Sequence, residues 1–68
     1  MTARELDDIT ARLEAIAEEL AERAIEVLRE AVDRGDTGRP DEERRLTRAR
    51  AAVERAVGIL RDGSAGDV

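Results

Sequence analysis

Five glutamates stand four residues apart in this chain, at Glu14, Glu18, Glu22, Glu26 and Glu30, a spacing that lines carboxylates along one side of a helix. Inward-facing glutamates on bundle helices are how di-iron carboxylate proteins hold their metal, but those sites complete the ligand set with Glu-x-x-His pairs. The chain contains no histidine. The five acids also fall outside the rows of aliphatic residues described below, so the run reads as a solvated face. Paired carboxylates working as general acid and base meet a similar objection. One of the two needs an enclosing pocket that raises its pKa, and no residues here would build one.

The second cluster is basic. Arg44, Arg45, Arg48, Arg50 and Arg55 are opposed only by Glu54, five charges against one between residues 44 and 55. Such a patch suits phosphate or an acidic protein partner. There is no aromatic side chain to stack on a base and no glycine loop to cradle phosphate, so nucleic acid is not favoured. Pairing with the acidic residues of helix one, in the same chain or a second copy, is the plainer expectation. The hydroxyls of Thr10, Thr47 and Ser64 lack a histidine base, and Thr47 within a helix is expected to bond back to its own turn. The expectation is therefore a chain with no catalytic residue, no metal ligand, no cofactor-binding residue and no cofactor.

Composition narrows the class further. The 68 residues allow one small domain, near the size at which a single hydrophobic core becomes marginal without staples. Cysteine is absent, which removes disulfides and thiolate metal sites. The remaining alphabet is alanine, arginine and acids around fourteen Leu, Ile and Val residues between Leu6 and Leu60, the composition of long helices and coiled coils. A net charge of −5 opposes binding to nucleic acid and to anionic membrane surfaces. The segment from Met1 to Asp8 has acids where a secretory leader carries an apolar run, and no window reaches the roughly 18 apolar residues of a membrane span. A cytoplasmic location is expected.

These residues must be positioned by two helices. Thr2 and Glu5 have the spacing of a capping box, so helix one is expected over about 3–34. Its apolar row runs Leu6, Ile9, Leu13, Ile16, Leu20, then Ala24, Val27 and Ala31, with a second row of Ala21, Ile25, Leu28 and Val32 opening beside it. Gly35 suits a helix-ending left-handed residue. Residues 35–40 form the turn, and Pro40 stands at or just before the first position of helix two, expected over about 41–62. Leu46, Ala49, Val53, Ala56 or Val57, and Leu60 form its apolar row. Gly63 should close the helix, leaving a disordered tail over 64–68. Gly58 conflicts with a helical interior unless close packing requires it. Acid-before-base pairs at four-residue spacing, Asp8 with Arg12, Glu19 with Arg23 and Glu30 with Arg34, should support helix one.

The expected fold is all-α, an antiparallel two-helix hairpin of coiled-coil type. Arms of about 48 and 33 Å, at 1.5 Å per residue, are not flush, so Leu6 and Ile9 should project past helix two. Two helices also leave much of an aliphatic stripe uncovered. Dimerisation of hairpins into a four-helix bundle solves both problems. Helix one carries ten acids and five arginines, helix two five acids and six arginines, and these opposite balances favour their pairing. The expected function is non-enzymatic: a homodimeric or tetrameric scaffold with Leu6, Ile9, Leu13, Ile16 and Leu20 as intersubunit seam. The alternative is an accessory or antitoxin-like regulator that lays Ile25, Leu28 and Val32 on a larger protein. An acidic helical hairpin this short is similar in outline to the small subunit of exonuclease VII. That family opens its second helix on leucine-serine-leucine-glutamate-glutamate and carries a glycine midway. Arg39-Pro40-Asp41-Glu42-Glu43 and Thr47-Arg48-Ala49 depart from both, and no membership is inferred.

Overall fold

Helix one starts where its capping box stands. In the computed structural model, which describes residues 1–62, the Thr2 hydroxyl accepts the Glu5 amide at 3.2 Å and the Glu5 carboxylate accepts the Thr2 amide at 2.8 Å. The bond from the Thr2 backbone amide first, and the nearby Thr2 hydroxyl second, hold the Glu5 carboxyl below its usual pKa. Helix α1 then runs Ala3–Asp33. It ends in a Schellman motif: Gly35 takes φ +81°, its amide bonds to the Val32 carbonyl, and the Asp36 amide reaches the Ala31 carbonyl, both at 2.9 Å. Pro40 sits one position outside α2, extended at φ −62° and ψ 149°, and α2 runs Asp41–Arg61. Gly63 and the expected tail over 64–68 lie outside the described residues.

The two helices pack against each other as a hairpin 49 Å long. Every seventh residue of α1, Thr10, Ala17, Ala24 and Ala31, is buried, as are Val27 and, from α2, Val57 and Glu43. With the half-buried Leu6, Leu13 and Leu20, these positions alternate steps of four and three along the whole of α1, the spacing of a coiled-coil seam. The buried row within the hairpin thus runs through Thr10 and Ala17, while Ile9 and Ile16, expected in an intersubunit seam, lie off it. The reason lies further along the chain. The row of Ile9 and Ile16 continues seven and fourteen residues on as Arg23 and Glu30, whereas the row of Thr10 and Ala17 continues as Ala24 and Ala31. Only the latter lets a second helix lie close for the full length. Thr10 is tolerated there because its hydroxyl donates to the Leu6 carbonyl at 2.8 Å.

Several local expectations are corrected. Gly58 is exposed, and a Cβ built there would meet nothing within 4 Å, so it allows no close helix contact. Arg34, at the end of α1, turns into the loop and pairs with Asp36 at 3.0 Å instead of with Glu30, because the left-handed Gly35 folds the chain back beside it. Arg23 pairs forward with Glu26 at 3.0 Å instead of back to Glu19, and no Asp8–Arg12 pair occurs among the described residues. Arg61 reaches across from α2 to Glu14 of α1 at 2.5 Å. Leu60 and Arg61 share a groove with Leu6 and Thr10, so the start of α1 is not stripped of cover; Leu6 and Ile9 are both half-buried. No described helix is long and apolar enough to cross a membrane.

Candidate interaction surface

In a coiled-coil frame of about 3.5 residues per turn, each heptad position keeps a fixed direction. With the Thr10, Ala17, Ala24, Ala31 row facing α2, Leu6, Leu13, Leu20 and Val27 lie about 50° to one side, and Ile9 and Ile16 about 100° to that side. Ala21 and Leu28 lie about 50° to the other side, with Ile25 and Val32 at about 100°. On α2, Leu46, Val53 and Leu60 flank the Val57 row on one side and Thr47, Glu54 and Arg61 on the other. Contacts settle which flanks coincide. Glu14, Glu18, Arg50, Glu54 and Arg61 line one groove, and Ile16, Leu20, Arg23 and Leu46 line the opposite one. The hairpin therefore has one flank that is apolar over most of its length, built from Leu6, Ile9, Leu13, Ile16 and Leu20 of α1 with Leu46, Ala49, Val53, Ala56 and Leu60 of α2.

The hairpin leaves this flank wet. Ile16 is 45% exposed, Ile59 at the outer edge of α2 is 70% exposed, and no large side chain among the described residues is fully sealed. The opposite flank is polar near the open end, where Arg61 bonds Glu14. Near the turn it carries a smaller apolar group: Leu28 is half-buried, while Ile25 and Val32 are 49% and 71% exposed. The eight aliphatic residues expected at an interface on α1 thus divide into two groups on opposite sides. Isoleucine 59 and the aliphatic side of α2 were missing from that expectation, although Leu46, Val53 and Leu60 at seven-residue intervals signal it.

The arginine cluster also divides. Arg44 pairs with Asp41, and Arg50 pairs with Glu54 at 3.3 Å. Arg45, Arg48 and Arg55 are exposed and make no ion pair with a described residue. Among the described residues only Arg61, outside the cluster, reaches across to α1 with an ion pair. Arg39, Arg44, Arg45 and Arg48 border a shallow open groove with Asp41 and Thr47. No family model matches this chain, and no curated protein or solved structure is significantly similar to it.

One charged residue has a place that composition did not suggest. Glu43, in the first turn of α2, is 5% exposed, with one carboxylate oxygen accepting from Arg39 Nε at 2.7 Å and the other from Thr47 Oγ1 at 2.8 Å. Thr47 thus donates to a side chain four residues back, not to its own backbone turn. The Arg39 hydrogen bond first and the Thr47 bond second keep the Glu43 carboxyl below its usual pKa. Pro40 provides no side-chain cap at this end of α2, and the clamp instead ties the residue before it to the first two turns of the helix through side chains alone. Its spacing, Arg39, Glu43 and Thr47 at intervals of four, is visible in the sequence. All three side chains satisfy one another, so the cluster reads as structure and not as chemistry. Among the described residues no group of three metal-ligating side chains comes together, and Glu14 is engaged by Arg61.

Proposed function

We propose that this chain is a non-enzymatic protein–protein interaction module that works as a homo-oligomeric scaffold in the cytoplasm, two hairpins burying their apolar flanks against each other as a four-helix bundle. One observation carries the reading: after the hairpin has closed, one flank still exposes Ile16 and Ile59 and only half covers Ile9, Leu13, Leu20, Leu46, Val53 and Leu60. A continuous apolar surface of this kind marks an association site, and a second copy presents the same surface in complementary form. Molar mass by light scattering over a concentration series, with circular dichroism on the same samples, tests it. Wild type should be a helical dimer or tetramer, and Ile16→Asp should dissociate it by placing an unpaired carboxylate in the interface. Ile16 suits this better than Leu13, which also helps close the hairpin. A monomer at every concentration would overturn the proposal.

The exposed Ile25 and Val32 favour a second reading, an accessory or antitoxin-like subunit that docks its turn-proximal face on a larger helical protein. The two surfaces lie on opposite sides, so Ile25→Asp should spare self-association and would disrupt only that second contact.

A further inference from the structure

We infer that the turn-proximal face takes an acidic amphipathic helix of another protein, seated on Ile25, Leu28 and Val32 between Arg29 of α1 and Arg44 and Arg48 of α2. This rests on the second reading above and names the chemistry of its partner. Ile25, Leu28 and Val32 follow one another at steps of three and four, so they form one continuous row. Hairpin closure leaves that row open, with Ile25 49% and Val32 71% exposed. An apolar row about two turns long fits the apolar stripe of a single helix.

The charges beside the row decide which helix. Arg29 is four residues after Ile25 and three before Val32, so it stands next to both, on the outer edge of α1. Across the hairpin, Arg44 lies about 100° from the Val57 row on the side of Thr47, and Arg48 about 150° on that same side. Arg44, Thr47 and Arg48 share one shallow groove. Leu46, between the two arginines in the chain, borders Leu20, Arg23 and Glu26, which sets both arginines level with the stretch of α1 that includes Ile25. Arg29 and Arg48 make no ion pair among the described residues, and the exposed pair of Arg44 with Asp41 can be exchanged at little cost. The acids of this flank, Glu14 and Glu18, lie toward the open end with Arg50 and Arg61, and Glu22 lines the opposite groove. The turn end of the flank is therefore an apolar strip with basic rims. A second copy docked here about a twofold axis would set those arginines against themselves, which repels. The net charge of −5 opposes an anionic membrane surface.

Three synthetic helices of about 20 residues, sharing leucines at steps of three and four but flanked by glutamate, glutamine or lysine, test this against the full chain by fluorescence anisotropy. The glutamate helix should bind at least about tenfold tighter than the lysine helix, although the net charge of the chain alone would favour the reverse, and its binding should weaken as salt is raised. Ile25→Asp should abolish that binding and Ile16→Asp should leave it unchanged, which places it on this face. Arg29→Glu, Arg44→Glu and Arg48→Glu together should invert the preference toward the lysine helix. Equal binding of all three helices, lost in Ile25→Asp, would overturn the acidic partner and leave the docking face standing. No binding of any helix, or binding that survives Ile25→Asp, would sink both. Binding to phosphatidylglycerol vesicles but not to the glutamate helix would replace the protein partner with a membrane surface.

Discussion

Glu43 shows how a residue that reads as ordinary helix-dipole decoration acquires a defined role. Its carboxylate, held low by Arg39 and Thr47, binds fewer protons in the folded chain than in the unfolded one, where it titrates near about 4.3. The stability it contributes is therefore full above that pH and is lost as pH falls through the lower folded value. Thermal midpoints measured from pH 7 down to pH 3 should fall, and Glu43→Gln should flatten that acid limb while lowering the midpoint at neutral pH. An acid limb of unchanged slope would show that the clamp carries no linkage. The Arg39, Glu43, Thr47 spacing was legible, but the burial of Glu43 was not, because it depends on α2 turning this position toward the α1 seam.

At the level of elements, the start of α1 and the turn are encoded locally. Thr2 with Glu5 and the left-handed Gly35 each need only neighbours within five residues, which is why sequence alone locates them. The interhelical seam is different. Ile9 and Ile16 are the more hydrophobic residues, yet Thr10, Ala17, Ala24 and Ala31 take the buried row, because close approach over seven turns selects persistence of small side chains over strength at any one position. Gly35→Ala should lower stability by about 1 kcal/mol, since an alanine must adopt φ +81° there. Gly58→Ala should raise it by about 1 kcal/mol, the helix-propensity difference, with open space for the added methyl. Urea midpoints of the two variants check both signs, and a destabilised Gly58→Ala would mean that the position touches something in the proposed assembly.

For the whole molecule, the two-helix fold was readable from periodicity and turn chemistry. The division of its aliphatic residues between opposite flanks was not, since it appears only once α2 has claimed the middle of the stripe. The seam of small residues has one further consequence, in heat capacity. Closing a hairpin on alanines removes little apolar area from water, and heat-capacity change on unfolding scales with that area. Calorimetry of the Ile16→Asp monomer should give a value per residue well below the about 12–15 cal/mol/K of ordinary globular domains. Wild type, if it pairs as proposed, should approach that range, so the heat-capacity step on melting reports how much of the hydrophobic core belongs to a pair and how much to the single chain.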